Sequence, residues 1–250
     1  MMTGHVIYGV GSRRRYSCRP LDEAALFRQG ADPDRLMAQA LLPDEHQLGA
    51  GDLPDLPLVD YELMLAHLCA DTFGEMVGQN IDCAECGKKF SLEFSLPAWI
   101  RELRDAVAPE RAATFDGAPV ALPTRAILHS VARDRGALAR RLWRGDADLP
   151  TERMEALEAH LARACPLLKD DIEAPCPRCG ETAHKQFTLR AYLDARLRAW
   201  LRGLLSDIHA LASSYHWTAE DILGLPRQTR SALVDTIRLH AQRRRATVRG

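Results

Sequence analysis

Two short cysteine motifs constrain this chain more than any other feature. The first reads Cys83-Ala84-Glu85-Cys86-Gly87 and the second Cys176-Pro177-Arg178-Cys179-Gly180, each followed by a polar pair and a β-prone tail. In a Cys-x-x-Cys-Gly knuckle the two thiolates bend the chain around a cation, and the glycine takes the positive φ that turns backbone amides towards sulfur. One knuckle fills only half of a tetrahedron. A structural zinc ion takes four ligands, so the economical reading is a single four-cysteine site of Cys83, Cys86, Cys176 and Cys179, closed over a long insertion.

Two competing readings fit less well. A thioredoxin-like redox pair wants its Cys-x-x-Cys at a helix start after a strand, whereas Gly87-Lys88-Lys89 and Gly180-Glu181-Thr182 suit hairpins. A disulfide framework suits small secreted chains, and 250 residues with 46% hydrophobic content can build a core without staples. The other thiols, Cys18, Cys69 and Cys165, have no partner nearby in sequence and read as small buried hydrophobes. His184 follows the second knuckle and could stand in for a cysteine, but four cysteines already suffice.

A net charge of −1 argues against nucleic-acid binding over the whole surface, although residues 238–250 carry five arginines and no acid. Those cations suit the C-terminal dipole of a solvated helix end. No apolar run approaches the ~20 residues needed to cross a bilayer, and the N-terminus lacks a signal-peptide core. The expectation is a reducing cytoplasm, or a particle assembled there, with no membrane partner.

Hydropathy periodicity predicts a mainly α protein with a small β component: a helical body around a split four-cysteine zinc ribbon. Four segments follow: an N-terminal arm and connector over 1–55, a helix plus first knuckle over 56–96, a mostly helical insertion over 97–172, and the second knuckle with a helical region over 173–250. Residues 5–10 are a short β-prone run, the arginines at 13–15 read as a loop, and a strand leading through Pro20 enters a helix near 22–27. Proline and glycine make 43–59 an irregular connector. Asp116-Gly117 marks a hairpin, Leu122-Pro123-Thr124 opens a helix to about Trp143, and Pro150-Thr151 opens another to about Cys165.

The strongest helix, about 189–213, carries Leu189, Leu193, Leu197, Trp200, Leu201, Leu204, Ile208, Leu211 and Tyr215 on one face. Thr218 and Asp221 then form a capping-box pattern, with Trp217 set to staple onto Ile222. A final helix starts at Pro226.

No phosphate loop, nucleophile elbow or His-Glu-x-x-His occurs, and the nine histidines are scattered. The chain therefore reads as noncatalytic, with no small-molecule substrate. His209 and His216 share a face only if the long helix continues that far, which the cap at Thr218 argues against.

The stretch from Asp207 to Trp217, followed by Glu220-Asp221-Ile222-Leu223-Gly224-Leu225-Pro226 and Arg230, resembles the C-terminal signature of the T-even-phage-type baseplate protein family. That family occurs in contractile-tail phages and related bacterial contractile injection systems. The upstream order is similar too: a helix ending in Thr72-Phe73-Gly74, the first knuckle, a Leu-Pro-Thr segment, the second knuckle and a long helix. The likeness covers roughly residues 55–240. It implies a noncatalytic structural or assembly component that binds other baseplate, hub or spike subunits, with His209, Tyr215, His216, Trp217, Leu225, Pro226 and Arg230 as partner-facing residues. The alternative from another class is a zinc-ribbon nucleic-acid binder, supported by the ribbon and the basic tail.

Overall fold

A computed structural model describes residues 5–12, 14–42, 50–106, 113–131, 135–145, 149–164 and 169–248. The chain is mainly helical, and its described strands form four small two-stranded antiparallel sheets. It divides into two compact units, Met1–Pro20 with Met37–Leu193, and Leu21–Leu36 with Asp194–Gly250. Residues 21–36 of the expected N-terminal arm thus share a unit with the C-terminal helices.

The first unit opens with a hairpin, His5–Tyr8 against Arg15–Cys18. Arg15 belongs to the returning strand opposite Tyr8 rather than to the loop expected for the arginines; Arg13 lies outside the described residues. The turn is anchored on Asp60, a fully buried carboxylate. Its Oδ1 accepts from Gly11 N at 2.8 Å and its Oδ2 from Ser12 N at 2.7 Å. A side chain at Gly9 would place its Cβ 2.6 Å from Asp60 Oδ2, so only glycine lets the turn approach.

Asp60 lies in the first turn of the Leu58–Phe73 helix, whose Leu63, Met64, Leu65, Leu68 and Cys69 are all fully buried. None of residues 58–73 is exposed, which marks a helix enclosed by protein. Cys18 and Cys69 are buried as expected; Cys165 lies outside the described residues.

The segment between the knuckles packs around Val120, Ala139, Leu142, Leu157 and Leu161. Its hairpin pairs Thr114–Phe115 with Ala118–Pro119. Asp116 and Gly117 both have positive φ, 51° and 78°, as the primed two-residue turn requires. The helix expected from Leu122 to Trp143 is two helices, Arg125–Ser130 and Arg135–Leu142. Thr124 caps the first through Ile127 N, and Val131 ends it by leaving helical torsions (φ −103°, ψ 3°). Thr151–Ala164 follows as read.

In the second unit, Glu23–Gln29 is capped by Asp22, whose carboxylate accepts from Ala25 N at 2.5 Å. The Leu189–Tyr215 helix enters this unit from the first. Ala219–Gly224 carries the expected capping box: Thr218 Oγ1 accepts from Asp221 N at 3.1 Å, and Asp221 Oδ2 accepts from Thr218 N at 3.1 Å. Ile222 is buried with Leu211 and Val234, while Trp217 stacks on Tyr215 with centroids 4.9 Å apart. The last helix runs Arg227–Val248. Among the described residues no helix is long and apolar enough to cross a membrane.

Candidate metal centre

Each knuckle sits at the tip of a hairpin. Met76–Asp82 pairs with Lys89–Ser95 around the first, and Lys169–Pro175 pairs with Thr182–Thr188 around the second. The local geometry is the same in both. Gly87 N donates to Cys83 O at 3.0 Å and Cys83 N to Lys88 O at 3.0 Å, matched by Gly180 N to Cys176 O at 2.9 Å and Cys176 N to Glu181 O at 2.8 Å. Gly87 and Gly180 take φ of 67° and 79°, the left-handed turn expected from sequence.

The likeness extends well past the knuckles. One constant interval relates both strands of each hairpin, both cysteines, and the starts of the helices at Leu96 and Leu189. Ser95 Oγ caps its helix by accepting from Ala98 N at 3.4 Å, and Thr188 Oγ1 accepts from Ala191 N at 3.3 Å. Phe94 and Phe187 occupy equivalent places, as do Trp99 and Tyr192, and these four rings pack together. The chain therefore holds two copies of a strand, knuckle, strand and helix start, set against each other around a shared apolar seam of Ile81, Ala174 and Ala183.

This opposition crosses the cysteines. Cys83 Sγ lies 3.6 Å from Cys179 Sγ, and Cys86 Sγ lies 3.6 Å from Cys176 Sγ. All four sulfurs lie within 4.8 Å of one another. A disulfide needs about 2.05 Å, so these are four thiols and no bridges. A metal with Zn–S bonds of about 2.3 Å sets its sulfurs about 3.8 Å apart along each tetrahedral edge, which fits the cluster. Among the described residues this is the group able to hold a metal ion.

Electrostatics point the same way. Burial raises the Cys176 thiol, but backbone hydrogen bonds from Arg178 and Cys179 and the neighbouring sulfurs outweigh it, bringing it down to about 6. At Cys179 the Glu181 backbone lowers the thiol, yet burial and the sulfurs of Cys86, Cys83 and Cys176 push it up to about 12. Sulfurs packed this closely do not all ionise unaided; a dication held among them would supply the compensating charge.

His184 does not join the cluster. Its Nδ1 lies 3.2 Å from Glu173 Oε1, its partner across the second hairpin. Of the residues taken as partner-facing, His209, Tyr215, His216, Trp217 and Pro226 are exposed and Leu225 is half-buried. The long helix ends at Tyr215, and His216 lies beyond it with φ 59°, so the two histidines do not share a helical face. Arg230 is 2% exposed; it is held by Glu23 and lies 3.8 Å from Asp207. Sequence reasoning missed this anchor, because a lone arginine in a basic helix carries no sign that acids from two other helices surround it.

Comparison with models of known protein families finds no match, and no significant match is found among curated proteins or solved structures.

Proposed function

We propose that this chain is a noncatalytic structural or assembly component of a phage-like contractile injection system baseplate, built as a split zinc ribbon that presents helical surfaces to neighbouring subunits. The observation that carries the metal part is the crossed pairing of Cys83 with Cys179 and of Cys86 with Cys176. Four thiolates close a zinc tetrahedron and leave no open position for substrate, so the ion's contribution is to fasten the two hairpins together. The baseplate part is supported by the motif order and by the signature from Asp207 to Arg230. Exposed Tyr215 and Trp217, stacked on each other beside the helix end, offer the amphipathic aromatic surface that protein interfaces favour.

The test couples two measurements on purified protein. Elemental analysis should give one zinc per chain, and co-expression with baseplate, hub and spike subunits of a contractile particle should yield a complex that survives size exclusion. Tight, salt-steep binding to random DNA with no such complex would transfer the reading to a nucleic-acid-binding zinc ribbon.

A further inference from the structure

The two hairpin copies are not closed alike. On one side, Lys185 crosses from the second hairpin to the first, and its Nζ donates to Asn80 O at 2.5 Å. The repeat places Leu92 where Lys185 stands and Glu173 where Asn80 stands. Leucine cannot make that crossing, and a groove of about 350 Å³ opens there instead. Leu92, Phe94, Trp99 and Ile172 give it apolar walls, and Glu102 and Glu173 bring carboxylates to it.

We propose that this groove is a docking site for an extended segment of a partner protein that inserts a lysine or arginine. Charge complementarity selects the occupant: the lining contains two carboxylates and no base. The closed side shows what such a residue does, since Lys185 crosses between the hairpins with its ammonium bonded to a strand carbonyl. Long cationic side chains lay their stems on apolar surface while the head finds acid or carbonyl oxygen. Aromatic walls add attraction for the cation. This deepens the docking role proposed above by naming the partner's chemistry, and it rests on that role.

The probe is a fluorescein-labelled hexapeptide alternating valine with lysine, followed by fluorescence anisotropy, with a glutamate-for-lysine peptide as control. The wild-type chain should bind the lysine peptide at least about tenfold more tightly than the control. Leu92→Lys copies the closed side onto the open one and should abolish binding by filling the groove. The exposed pair Glu102→Gln and Glu173→Gln should weaken it about fivefold or more with the fold intact. Equal binding of both peptides, or an unchanged affinity in the Glu102→Gln, Glu173→Gln chain, overturns the proposal. Zinc is measured on the same samples: a zinc-loaded wild type that ignores the lysine peptide overturns the groove alone, whereas selective binding by a metal-free chain upholds the groove and overturns the metal reading.

Discussion

Phe94 and Phe187 meet edge to face, with ring centroids 5.3 Å apart and planes at 88°, and each holds the same place in its own copy of the repeat. The contact lies on the seam between hairpins that are far apart in sequence. Phe187 is 3% exposed, so Phe187→Ala should cost about 3–5 kcal/mol in denaturant unfolding, and Phe94→Ala less. A double-mutant cycle should return about 0.5–1.5 kcal/mol of coupling, and additivity would show that the rings do not act as a pair.

Removing one sulfur should dismantle the shared centre rather than half of it. Cys176→Ser and Cys83→Ser should lower zinc content by the same large factor, because each pairs across the hairpins with a cysteine of the other knuckle. A loss of about 4 kcal/mol would lower the Tm by roughly 8–16 °C in a domain of this size. Retention of one zinc in either variant, measured by elemental analysis, would contradict a four-sulfur site.

Asp60 holds the N-terminal turn through two backbone amides while fully buried. Asp60→Ala strands those donors and should cost about 2–4 kcal/mol. Faster amide exchange at Gly11 and Ser12 is the local readout.

Burial raises the Glu62 carboxyl to about 7, against the pull of Arg190. The folded chain therefore binds a proton that the unfolded chain has released between about pH 4.5 and 7. This group's stabilisation is complete below that window and is lost as pH rises through about 7. Relative to wild type, Glu62→Gln should gain about 1–3 kcal/mol between pH 5 and pH 8, read as the difference of two thermal melts at each pH. A constant difference would show that Glu62 titrates as an ordinary surface acid.

In the second unit the buried Arg230 pairs with the half-buried Glu23. Arg230→Ala should cost about 1.5–3 kcal/mol by removing the buried cation held by Glu23, which keeps Arg227 at 3.9 Å and the Trp200 indole N–H, while Arg230→Met with Glu23→Gln should recover much of that loss. An equal cost in single and double variants would assign the effect to packing.

Much of the site was legible because its chemistry is local. Two Cys-x-x-Cys-Gly strings, the Asp116-Gly117 turn, the Thr218 and Asp221 cap, and the stripe from Leu189 to Leu211 each declare themselves within a few residues. What escaped depends on distant partners. The Pro33–Ala40 helix has no long apolar stripe, and the place where the chain leaves the helix after Ser130 bears no proline or glycine. The repeat beyond the knuckles is hidden by substitutions that keep the physics and change the letter. Ser95 and Thr188 cap alike, and Trp99 and Tyr192 present similar rings, yet Leu92 and Lys185 differ in chemistry and open one side of the seam.

The crossed sulfurs also set a clock on biosynthesis. Ninety positions separate Cys86 from Cys176, and at roughly 5–20 residues per second the early pair leaves the ribosome on the order of ten seconds before its counterpart. Throughout that delay a cation has only two sulfurs to grip and exchanges easily. On the zinc reading proposed above, a message cut short before Cys176 would yield a product holding only two of the four clustered sulfurs. Translation past the second knuckle is what the finished clasp certifies.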